Sequence, residues 1–113
     1  MQDTKLGTIR IAPSVLATIV SLTARSVKGV ADMGAISRPP GRVLHRPNVG
    51  SAPGVILQVR NGTIITDVYI VAETDTNLKR LGQTIQQKVR EALDQMVGME
   101  AEQVNVYIED VSD

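Results

Sequence analysis

Between Gly54 and Glu73 the chain reads GVILQVRNGTIITDVYIVAE, two β-rich runs on either side of Asn61-Gly62. Both central residues of a two-residue type I′ turn need positive φ, and Asn-Gly supplies it at low cost. This is the strongest local signal in the chain, and it predicts a hairpin with a definite register in which Val59 faces Ile64 and Val55 faces Val68. Successive side chains point to opposite sides of a strand. One face therefore collects Val55, Leu57, Val59, Ile64, Val68 and Ile70. The other collects Ile56, Gln58, Arg60, Ile65, Asp67, Tyr69 and Val71.

The remaining segments can be read around this hairpin. Residues 6–12, LGTIRIA, alternate, with Ile9 and Ile11 on one side, and predict a half-buried strand. Pro13 suits the first position of a helix, where its missing N–H is not needed. Val15, Leu16, Ile19, Val20 and Val27 follow at helical spacing, and Lys28 and Gly29 suit the helix end. The spacing predicts a helix over 14–27. After Gly29, VADMGAIS is either a short strand or an irregular exit. Residues 76–97 carry Leu78, Leu81, Ile85, Val89, Leu93 and Met96 every three or four positions and predict a second helix. Asp75 or Thr76 would cap it and Gly98 would end it. Gly82 inside this helix costs about 1 kcal/mol relative to Ala and points to close packing. The last segment, QVNVYIEDV, alternates, with Val104, Val106 and Ile108 inward and Asn105, Tyr107 and Glu109 outward.

These elements predict an α+β fold, a two-layer sandwich with two helices packed on one face of a mixed or antiparallel sheet. The chain order is strand, helix, possible short strand, hairpin, helix, strand. With 113 residues the chain is read as a single domain, 1–113. It is interrupted by an Arg/Pro/Gly-rich segment, RPPGRVLHRPNVGSAPG, read as a flexible loop at about 38–54.

Composition narrows the function. Twelve basic and twelve acidic residues cancel, so there is no global basic footprint for nucleic acid and any such role must rest on a local patch. Absence of cysteine removes disulfide and thiolate chemistry. No apolar run approaches the ~20 residues a bilayer span needs, and the first residues lack a signal-peptide core. The expected location is cytoplasmic.

Three stretches resemble one family: GTIRIAPSVLATIVSLTARSVKGV, GVILQVRNGTIITDVYIV and QQKVREALDQMVGMEAEQVNVYIEDV. Together they are similar to the alkaline-shock-protein family of Gram-positive envelope stress proteins, over roughly residues 6–111. The last block, with helix, glycine, charged turn and VNVYIEDV, is the most specific. The resemblance implies a non-enzymatic envelope stress and homeostasis protein. It would act by protein–protein interaction and self-association near the cytoplasmic face of the membrane. Its partner would be a protein, membrane-anchored in some relatives, with membrane contact only indirect or weakly peripheral. Other relatives are tied to fatty-acid metabolism, so a regulatory partner of such an enzyme is an alternative. No catalytic residues are established for the family, and none carry over.

Two candidate sites stand out. Arg38, Arg42 and Arg46, with Lys28 near them in character, could contact anions; the plainer reading is a solvated linker. Ile56, Ile65, Tyr69, Val71 and Tyr107 fall on the sheet face opposite the helices and form a candidate partner face. The competing use of that face is RNA or single-stranded DNA binding, which wants exposed aromatics and a basic groove. His45 lacks a positioned nucleophile and carboxylate. GxSxG, Walker, GxGxxG and HExxH patterns are all missing. Glu73, Asp75, Glu100 and Glu102 read as cap and turn residues. The expectation is no enzymatic activity, no cofactor and no metal.

Overall fold

The computed structural model describes residues 5–36 and 47–112. Its elements in chain order are α1 (Pro13–Arg25), β1 (Val30–Met33), β2 (Val49–Ala52), β3 (Val55–Arg60), β4 (Thr63–Glu73), α2 (Leu78–Val97) and β5 (Ala101–Ser112). Asn61 and Gly62 take φ of 53° and 78°, the left-handed values the tight turn demands. The hairpin register follows, with Val59 opposite Ile64 and Val55 opposite Val68.

β4 organises the sheet. Along one edge it pairs with β5 in parallel, from Ile64 to Glu73. A parallel pair needs a crossover, and α2 supplies it. The other edge of β4 is shared end to end: β3 takes residues 63–68 and β1 takes residues 70–72. Tyr69 marks the joint. Its N–H donates to the Gly54 carbonyl and its own carbonyl accepts from the Gly34 N–H, both at 2.7 Å. β2 lies outside β3 in antiparallel pairing. The sheet is therefore mixed and five-stranded.

Both helices pack on one face. Leu16 and Val20 of α1 and Leu81, Ile85, Val89 and Leu93 of α2 join Val55, Leu57, Ile64, Val68 and Ile70 in a single core. At about 1.5–3 kcal/mol for each such side chain fully removed from water, this layer contact is what holds helices to sheet. The two-layer α+β expectation is met.

Several local expectations are corrected. Residues 6–12 do not form a strand: past a single bridge at Gly7 the segment runs outside the sheet. Ile9 is 72% exposed, while Ile11 packs on the core margin. Two isoleucines offer too little buried area to pin an edge strand, and Pro13 commits the chain to helix at once. Of the flexible Pro/Gly-rich loop expected at about 38–54, residues 38–46 lie outside the described residues, and residues 49–52 are strand. There Gly50 lies so close to the backbone of Pro13 and Ser14 that a Cβ would collide with it. The composition that reads as loop is, at this position, the condition for α1 to lie on β2.

α1 itself ends at Arg25, two residues short of the expected limit, and buries Leu16, Ala17, Val20, Ser21 and Ala24 while Val15 stays exposed. Small residues allow the close approach, and the Ser21 hydroxyl donates to the Pro53 carbonyl at 2.7 Å. In α2 the cap is Asn77, whose side-chain oxygen accepts from the Arg80 N–H at 3.0 Å, in place of Asp75 or Thr76. Gly98 ends the helix in a left-handed conformation, φ 67°, as the sequence predicts. Gly82 is not tightly packed, since a Cβ there would meet nothing within 4 Å. Met96, the last residue of the apolar stripe, is 64% exposed.

Candidate functional site

The outward face of the sheet is built by strand alternation. Along β4, Ile64, Thr66, Val68, Ile70 and Ala72 point to the helices, and each is 0% exposed. Ile65, Asp67, Tyr69 and Val71 point the other way and are only half-buried. Pairing then arranges the outward residues in rows across the strands. Gln58, Ile65 and Gln103 form one row; Ile56, Asp67 and Asn105 form the next; Tyr69 and Tyr107 form the third. Ile56, Ile65, Tyr69, Val71 and Tyr107 thus share one surface, away from both helices.

The centre of that surface is an aromatic pair. Tyr69 and Tyr107 stack with ring centroids 4.9 Å apart and planes 19° from parallel, a separation at which such pairs are favourable beyond simple burial. Tyr107 remains 45% exposed. In the row below, the Asn105 amide donates to the Asp67 carboxylate at 2.9 Å. A register shift between Ile70 and Val71 leaves Glu109 as an extra residue on β5. Its carboxylate occupies the space above Gly34 that any side chain there would fill. Burial in the first place, then the Asp67 carboxylate, Tyr107 and the Glu109 carboxylate, push the Tyr69 phenol above its ordinary value of 10.0. Sequence reasoning places both tyrosines on this face but does not pair them. Their pairing depends on the parallel register that α2 sets, and no local pattern encodes it.

Charge is unevenly divided although the chain is neutral. The strands hold six acidic residues and one basic residue, Arg60; the helices hold five basic and two acidic. Arg60 is engaged, with its guanidinium 3.8 Å from Glu102. Glu102 also accepts from the Thr63 hydroxyl at 3.2 Å, and Asp75 sits in a left-handed turn, φ 66°. The candidate anion-contacting residues Arg38, Arg42 and Arg46 lie outside the described residues, as does His45.

A concavity of about 490 Å³ lies between the segment ahead of α1 and the end of α2. Ile9, Ile11, Leu16, Val59, Val97 and Met99 line it, and among the described residues that line it Arg10 alone is ionisable. Among the described residues no group of three His, Cys, Asp or Glu could hold a metal ion. None of the described helices is long and apolar enough to cross a membrane.

Comparison with known proteins agrees with the sequence blocks. YqhY of Bacillus subtilis, uncharacterized, is 29% identical over 107 residues, which cover 95% of this chain and 78% of that protein. Spy1614 of Streptococcus pyogenes, also uncharacterized, is 30% identical over 112 residues, 96% of this chain and 91% of that protein. Among solved structures, a MamM CTD variant superposes with a TM-score of 0.51 at 14% identity, covering 85% of this chain and 94% of that one. A zinc form of a MamM CTD variant gives the same TM-score at 13% identity, covering 88% and 86%. At that identity the likeness is one of fold, and the zinc does not transfer to this chain. The alkaline shock protein 23 family, described as having a cell envelope-related function, matches residues 1–113 from end to end, and the chain belongs to it.

Proposed function

We propose that this chain is a non-enzymatic envelope-homeostasis protein that works by contact with other proteins and with copies of itself, on the cytoplasmic side of the membrane. The outward sheet face is the docking surface, with Ile56, Ile65, Tyr69, Val71 and Tyr107 as its contact residues. One observation carries the reading. Half-buried apolar residues and a stacked tyrosine pair sit on a regular sheet surface that neither helix covers. Rigid aromatic groups with a polar tip are the side chains that interfaces favour. The family's envelope-related description supports the setting, and the relatives in Bacillus and Streptococcus support a Gram-positive one.

The absence of catalysis is part of the proposal. The cleft beside α1 offers one arginine and apolar walls, which lack the acid–base pair that proton transfer needs. Nucleic acid is the weaker reading of the tyrosine face. Bases would stack on the rings, but Asp67 and Glu109 beside them would repel the phosphates.

Tyr69→Glu tests the docking role. It places a charge at the centre of the face without entering the core. The expected result is a lower mass by light scattering or lower retention of a co-purifying partner, with helix content retained and a cooperative melt still present. Unchanged mass together with unchanged retention overturns the proposal. Filter binding with oligonucleotides at physiological salt checks the rival.

A further inference from the structure

We propose that the Tyr69–Tyr107 pair receives a lysine or arginine side chain carried on an extended basic segment of a partner protein lying along β5. This rests on the docking role of the sheet face and specifies the chemistry of what docks there.

Three observations converge. A cation is attracted to the face of an aromatic ring, and more strongly where the surroundings are partly desolvated. Here two rings stack at 4.9 Å, one of them half-buried and the other open to solvent on one side. The charge around the rings has one sign. Asp67 and Glu109 are the carboxylates that act on Tyr69, and among the described residues neither forms an ion pair. Of the described lysines and arginines, only Arg60 stands on a strand, and Glu102 already holds it. A cationic side chain arriving from outside would therefore meet the open face of Tyr107, with Tyr69 stacked behind it and the Asp67 and Glu109 carboxylates setting a negative surround, without displacing a resident cation.

The third observation concerns the backbone. Among the described residues β5 pairs with β4 alone. Side chains of α2 take up part of its other edge: Gln86 donates to the Val104 carbonyl at 3.0 Å and Arg90 to the Glu102 carbonyl at 3.5 Å. Past Val104 no hydrogen bond from another described element reaches that edge, and this is the stretch that carries Tyr107 and Glu109. An extended segment can add there as a further strand, with backbone bonds giving affinity and alternate side chains giving specificity. Its outward side chains would lie beside Tyr107.

The test uses the whole chain and a blocked peptide of alternating arginine and serine, with glutamine and glutamate versions as controls. Tyr69 and Tyr107 are the only tyrosines and tryptophan is absent, so intrinsic tyrosine fluorescence reads the site directly. The expected result is a saturable change with the arginine peptide and none with the controls. The double variant Asp67→Asn with Glu109→Gln, and separately Tyr107→Leu, should each weaken binding by about tenfold or more. Circular dichroism confirms that each variant is folded. Absence of saturable binding overturns the inference, as does equal affinity for the glutamine peptide or indifference to both variants. Binding that emerges only after Arg38, Arg42 and Arg46 are replaced by Gln also overturns it, because the chain itself would then supply the occupant. If the peptide fails while mass or retention still depends on Tyr69, the docking face stands and only its chemistry is wrong.

Discussion

The two sides of β4 make the instructive contrast in this molecule. They alternate residue by residue along one strand, yet one side is sealed and the other is not. Val68 and Ile70 are fully buried against the helices, while Asp67, Tyr69 and Val71 between and beside them remain half-buried. The sealed side is chemically uniform and interchangeable in kind: aliphatic groups whose task is volume. The other side is mixed, with rings, an amide–carboxylate pair and an unpaired carboxylate in set positions. A packed core and an open, chemically mixed surface are thus separated by a single step along the backbone.

The largest way to test that separation is to exchange polarity across it. Val68→Asp puts an unpaired carboxylate into the core, which costs more than a small domain's whole stability margin of about 5–15 kcal/mol can easily absorb. No cooperative unfolding transition should remain. Asp67→Val, one residue away, should leave that transition in place, as denaturant titration would show. Truncation comes next. Leu57→Ala should cost about 2–5 kcal/mol by chemical denaturation, whereas Ile56→Ala on the same strand should cost well under half as much. Equal losses would mean that the outward side is packed like a core.

A smaller effect separates two glycines. Gly50 is pressed against the backbone of Pro13 and Ser14, whereas a Cβ at Gly82 would meet open space. Gly82→Ala should raise stability by about 0.5–1 kcal/mol, while Gly50→Ala should lower it. The subtlest test is pH. The Tyr69 phenol is held above 10.0 mainly by burial, so the fold favours its protonated form. That contribution is complete below the ordinary value and is lost as pH rises through the higher folded value. Stability should therefore fall in strong alkali, and Tyr69→Phe should flatten part of that fall in a series of denaturant melts.

Features whose causes are local could be read from the sequence. The Asn61-Gly62 turn set the hairpin register without any tertiary information, and strand alternation then assigned Val55 to one face and Tyr69 to the other. The stripe from Leu81 to Leu93 marked α2, and Gly98 its end. Features whose causes are distant could not. β2 was hidden because Gly50 answers to a helix thirty-seven positions earlier. Ala17, Ser21 and Ala24 look unremarkable until α1 is laid on that strand. The tyrosine stack needs the parallel pairing of β4 with β5, which is fixed only when α2 has carried the chain across. Alternation in residues 6–12 misled because it ignores whether the sheet has a place for another strand.

The division of charge has a consequence of its own. Zero net charge suggests indifference to electric fields, but among the described elements basic helices lie over an acidic sheet, and that arrangement is dipolar. A dipole feels little pull from a distant charged surface and a definite torque from a nearby one. Beside an anionic surface this division would turn the helices toward it and the tyrosines away. Orientation would come before attachment.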